Sequence, residues 1–149
     1  MIALGRLDHL ALLGVLFEQV QVPELVLAEC LARPDRPDAQ RIRDAVAAGV
    51  LVPCDARPVV VAGLDDGERA AIGRAIEIHA GLLVDDLAAR HHALSIGLVV
   101  VGTLGVLVQA KRKGLVTEIR PLIDRLRASG QRLSHAAVAD ALGAAGEPG

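Results

Sequence analysis

Four carboxylates stand where they could do chemistry. Asp85 and Asp86 are adjacent in "LLVDDLAAR", directly after three aliphatic residues. Glu68 follows Gly67 in "LDDGERAAIGRA", and Glu29 lies in "PELVLAECL" among Val26, Leu27, Cys30 and Leu31. Hard divalent ions such as Mg²⁺ and Mn²⁺ prefer carboxylate and water oxygens. One or two such ions can clamp a phosphodiester and activate a water for its hydrolysis. A site of that kind needs acids from separate elements to meet at one point. Each acid also has an ordinary structural use. Glu68, three residues after Asp65, has the spacing of a capping box. Asp86 fits the N-cap of a following helix, and Glu29 fits a solvated helix position. Spacing alone leaves both uses open.

Gly and Pro punctuation divides the chain into short elements that must position these acids. Apolar residues at Leu7, Leu10, Leu13, Leu16 and Phe17 have helical spacing. "VQVP" (20–23) reads as a short strand, and Pro23 with Glu24 starts a helix that carries Glu29. Residues 33–38 read as a loop and 39–49 as a helix. Segments 50–53 and 58–64 read as strands or extended chain. The Asp65–Glu68 box opens a helix that ends by Gly81. Then come a strand at 82–85, a helix closed by Gly97, a strand "LVVVGT", and a helix closed by Gly114. Two more helices span Thr117 to Gly130 and Ser134 to Gly146. Strands that are continuous apolar runs alternating with helices predict an α/β fold, a parallel sheet with helices on both faces. In such sheets the working site lies at the carboxyl ends of the strands. Asp85 and Asp86 fall at one such end. Residues 1–146 read as one domain and 147–149 as a frayed tail.

Composition narrows the function classes. With 52% hydrophobic and 23% charged residues, the chain is expected to fold around an aliphatic core. One Phe and no Tyr or Trp leave no platform for stacking exposed bases. The net charge of -2 excludes a globally basic binder. Between Lys111 and Arg132, however, seven basic residues face two acids. That patch either binds a phosphate backbone or forms the solvated face of an amphipathic helix. Cys30 and Cys54 have no metal spacing, as expected of a reduced, cytoplasmic chain. No apolar stretch reaches the length of a membrane span. The five histidines form no ligand motif, and neither a P-loop nor a serine elbow occurs.

Taken in order, "MIALGRLDHL", "VQVPELVLAECL", "LDDGERAAIGRA", "LLVDDLAARHHALSIGL", "VVGTLGVLVQAKRKGLV" and "IRPLIDRLRASGQRLS" resemble the PIN-like proteins of bacteria and archaea. These are relatives of the VapC-type toxins of toxin–antitoxin pairs. The most specific parts are G-E-x-x-A, D-D-x-x-A-R, and G-T-L-G-V-L with its following K-R-K-G. The resemblance covers nearly the whole chain. It implies a three-layer α/β sandwich and Mg²⁺- or Mn²⁺-dependent RNA cleavage. Glu29, Glu68 and Asp85 would be the catalytic, metal-binding acids, with Asp86 as a further metal ligand. Thr103 would touch the metal's water shell. Arg90, one helical turn beyond Asp86, would pair with an acid or meet a phosphate, and Lys111, Arg112 and Lys113 would steer the RNA. The implied partners are RNA, a cognate antitoxin and a second copy of the chain in a homodimer. One departure stands out. Family members open with a strand ending in "D-T-S-P-L-I-A-L", whose Asp is a metal ligand, whereas this chain begins "MIAL". The first strand and its acid are thus expected to be missing, and Asp8 does not replace that acid. The alternative to a nuclease is a non-catalytic module that binds RNA or an antitoxin.

Overall fold

Two pairs of short parallel strands carry the fold, with helices packed around them. The computed structural model describes all 149 residues. The chain begins with α1 (Ile2–Leu7) and α2 (Ala11–Leu16), followed by β1 (Val20–Pro23), α3 (Glu24–Cys30), α4 (Pro37–Ala47) and β2 (Leu51–Cys54). The centre is α5 (Asp66–Glu77), β3 (Leu82–Leu83), α6 (Leu87–Ser95), β4 (Val100–Val101) and α7 (Thr103–Arg112). Two further helices, α8 (Arg120–Ala128) and α9 (His135–Ala144), complete the chain.

The α/β class and the parallel pairing agree with the alternation of apolar runs and helices. β1 pairs with β2 from Val20↔Leu51 to Pro23↔Cys54, and β3 pairs with β4 at Leu82↔Val100 and Leu83↔Val101. The expected single sheet is divided, however: β1 and β3 each have one edge without a strand partner. A cavity of about 1150 Å³ runs alongside both. Val20 and Val22 of β1, Leu82 and Leu83 of β3, Ala75 of α5 and Ile78 just beyond it are among the residues that line it.

The core follows the same division. Its larger part joins α1, α2, α4, α7, α8 and α9 through residues such as Leu4, Leu13, Ile42, Leu107, Ile123 and Leu142. A smaller part joins Ile72 and Ala75 of α5, Leu82 of β3, and Ala89 and Ala93 of α6. Successive residues on β3 point to opposite faces, so Leu82 enters the smaller part while Leu83 reaches the larger. This alternation sets helices on both sides of the strands.

Four local expectations change. The apolar stripe of residues 7–17 does not make one helix, because Asp8 adopts φ 59° and ends α1. Arg41 and Arg125 donate to the carbonyls of Gly5 and Leu7 at that end, where cations favour a helix terminus. Segment 58–64 forms no strand. It crosses α5 instead, with the Val59 N–H donating to the Arg69 carbonyl. The Arg57 carbonyl abuts Gly73 so closely that no side chain fits there. The helix expected from Thr117 begins only at Arg120, with Pro121 in its first turn. The tail is not frayed at Glu147. Its carboxylate accepts from Lys111 Nζ at 2.7 Å and from the backbone N–H groups of Ile119 and Arg120 at 2.7 and 3.0 Å.

Candidate functional site

The N-termini of three helices hold the four acids. Asp65 caps α5 by accepting from the Glu68 N–H at 2.7 Å, and Glu68 Oε2 accepts from the Asp65 N–H at 3.0 Å. The spacing D-D-G-E thus forms the capping box that it predicted. Asp86 caps α6 by accepting from the Ala89 N–H at 2.9 Å. Asp85 caps α7 from a distance. Its Oδ1 accepts from the Thr103 N–H at 2.7 Å and its Oδ2 from the Thr103 hydroxyl at 2.6 Å. The α7 N-cap, Gly102, has no side chain to do this itself. Glu29 reaches from α3 to the first turn of α5, where a Cβ on Gly67 would lie 2.5 Å from its Oε2. Positive helix ends therefore face the acids, which allows carboxylates to gather.

Gathering has an electrostatic cost. Burial raises the pKa of Glu29, and repulsion from Asp65 and Asp66 adds to that, against a lowering by the Gly67 backbone N–H. Burial also raises the pKa of Glu68; the Asp65 N–H opposes it, while Asp65, Asp86 and Glu29 reinforce it. The Met1 α-amine is buried nearby, which lowers its pKa, while the charge of Asp85 pulls it back up. So Glu29, Glu68 and Asp86 share one electrostatic neighbourhood, and Asp85 sits within range of the cavity beside β1 and β3.

No three of the chain's His, Cys, Asp or Glu side chains are close enough to form a closed metal cage. The donors at the site are carboxylates with a neighbouring hydroxyl, a set suited to Mg²⁺ or Mn²⁺ and not to a thiolate-preferring metal. Each Asp85 oxygen keeps a lone pair after its bond to Thr103. Glu68 Oε1 takes no part in the capping box. The residues thus fit a hydrated hard ion held by few protein oxygens, the usual manner for Mg²⁺.

The remaining expected site residues are placed differently. Thr103 is buried, and its hydroxyl donates to Asp85. Arg90 makes no ion pair with any acid; its Nη1 donates to the Val84 carbonyl at 3.1 Å. Lys111 pairs with Glu147 at 2.7 Å, and Arg112 donates to the Ala144 carbonyl. Lys113 is exposed. These three lie at and just beyond the far end of α7, about 12 to 15 Å along the helix axis from Thr103. The fold does not bring them to the acids. Gly67 and Gly102 are members of the site that side-chain chemistry alone overlooks. Their signal in the sequence is a glycine just before a helix-starting Glu or Thr.

No helix is long and apolar enough to cross a membrane. A family model described as a PIN domain matches residues 1–147. No curated protein and no solved structure matches the chain.

Proposed function

The chain belongs to the PIN-domain family, and from that premise we propose that it is a metal-dependent endoribonuclease and the toxin of a toxin–antitoxin pair. The observation that carries this reading is the placement of Glu68, Asp86 and Asp85 at the N-termini of α5, α6 and α7, with Glu29 against the first turn of α5. The family's nuclease-type fold supports it. One or two of these acids, with water completing the shell, would hold Mg²⁺ or Mn²⁺. Such an ion, when bound, polarises the scissile phosphate and lowers the pKa of a water.

The chain's own residues supply the rest. Thr103 holds Asp85 in one orientation through two hydrogen bonds. Glu68 Oε1 is free of the capping box, and the raised pKa of that carboxyl suits it to accept a proton from the attacking water. Arg112 and Lys113 are exposed, and Lys113 at the far end of α7 would meet an RNA backbone away from the acids. Purified protein with RNA and Mn²⁺ tests this. Cleavage that stops with EDTA and in both Asp85→Asn and Glu68→Gln is expected, and cleavage that persists in both variants rules out the assignment.

A second reading, a non-catalytic module that binds RNA or an antitoxin, is favoured by a different observation. The acids form no closed cage, and the partnerless edges of β1 and β3 border a cavity. RNA binding without cleavage, unchanged by the two substitutions, is the outcome that selects this module.

A further inference from the structure

We propose that Arg90 and Gly102 are positioning residues for Asp85: they set its carboxylate and do not themselves meet substrate. The inference rests on the reading of Asp85 as an ion-binding acid. Asp85 is exposed and lies on the short connection between β3 and α6, so no regular element fixes its side chain. The last ladder bond before it is from the Val84 N–H to the Val101 carbonyl, at 3.0 Å. The carbonyl of Val84, in the peptide that leads into Asp85, accepts from Arg90 Nη1 at 3.1 Å. Arg90 is itself fixed by the first turn of α6, where its N–H donates to the Asp86 carbonyl. The guanidinium therefore clamps the backbone just ahead of the acid.

Gly102 makes room for this clamp. A Cβ at position 102 would lie 2.6 Å from Arg90 Nη1 and 3.0 Å from Asp85 Oδ1. The two side chains share the space over a bare α-carbon, and any side chain there must displace one of them. Gly102 also directly precedes Thr103, whose N–H and hydroxyl hold both Asp85 oxygens. Arg90 and Asp85 nevertheless form no ion pair. A guanidinium bonded to the carboxylate would compete with a bound cation for the same lone pairs. One bonded to the neighbouring carbonyl fixes the geometry and leaves the oxygens free.

The test uses the Thr103 amide, which reports the Asp85 bond without any metal. In metal-free full-length protein, Arg90→Met should lower the hydrogen-exchange protection of that amide by about tenfold, the worth of roughly one hydrogen bond. The Glu68 amide, held by Asp65 in a separate cap, should change less than about twofold, as expected of a bond that shares no partner with the clamp. Gly102→Ala should act like Arg90→Met. Should that variant not fold, Arg90→Met alone decides, since it adds no atom at the crowded α-carbon. Arg90→Lys, which can still donate to the Val84 carbonyl, should restore most of the protection. Mn²⁺ affinity, read from the free-ion electron paramagnetic resonance signal, should fall and recover in the same order. Unchanged Thr103 protection in Arg90→Met overturns the proposal, as does equal loss at the Glu68 amide. If Thr103 responds as expected but the parent protein binds no Mn²⁺, the clamp stands and the nuclease reading falls.

Discussion

Asp85 caps the helix that begins at Thr103, 18 residues further along the chain, through the backbone N–H at 2.7 Å and the hydroxyl at 2.6 Å. One carboxylate thus ties the end of β3 to the start of α7. The acid proposed to bind the ion is also a structural bond, and substitution separates the two roles.

Asp85→Ala removes both acceptors and leaves the buried Thr103 hydroxyl unpaired. The expected loss of stability is about 2 kcal/mol in chemical denaturation. Asp85→Asn keeps an acceptor for the N–H and should lose less than about half of that. Equal losses would show that the cap does not hold the helix.

Glu68 divides more cleanly. Gln fits a capping box as Glu does. Glu68→Gln should leave the unfolding midpoint nearly unchanged while abolishing Mn²⁺-dependent cleavage. Glu68→Ala should lose activity and also about 1 kcal/mol of stability. A cleavage assay beside thermal melting of the two variants checks this, and an active Glu68→Gln contradicts it.

Two sets of carboxylates should respond to pH in opposite directions. Glu29 and Glu68 have raised pKa values in the fold, so the native state binds their protons more tightly than the unfolded chain does. Their contribution declines as pH rises from the ordinary glutamate value through the raised one. Glu147 behaves conversely. Burial would raise its pKa, but Lys111 and the Ile119 and Arg120 N–H groups outweigh that and lower it. Its contribution is present above the ordinary glutamate value and is lost as pH falls through the lowered one. Stability-versus-pH curves of Glu68→Gln and Glu147→Gln, each subtracted from the parent, should therefore slope in opposite directions. Mn²⁺ binding near the raised pKa values should also release protons in an unbuffered titration.

The cavity beside β1 and β3 predicts a response to added chain. An apolar strand of about five residues ending in Asp, placed ahead of Met1, matches a typical strand in length. It should raise the melting temperature by several degrees and tighten Mn²⁺ binding about tenfold, the effect of about 1.4 kcal/mol. Ending the same strand in Asn should keep the thermal gain and lose the gain in affinity. No thermal gain from either would mean that the cavity does not accept a strand.

What the sequence determined by itself was local. The capping box at Asp65 and Glu68, the caps at Asp86 and Ser134, and the glycines that end α6 and α7 act over a few residues, so their spacing is enough to read them. Apolar runs alternating with helices similarly specify an α/β chain with parallel strands, because periodicity reports which faces are buried. The tertiary structure decided the rest. Glu29 meets Gly67, Asp85 meets Thr103, and Arg90 meets the Val84 carbonyl beside Gly102. The basic cluster lost Lys111 to Glu147, 36 residues away. These pairings depend on how helices and strands sit side by side. A residue's type and spacing show that it can donate, accept or carry charge, whereas packing between distant segments selects its partner.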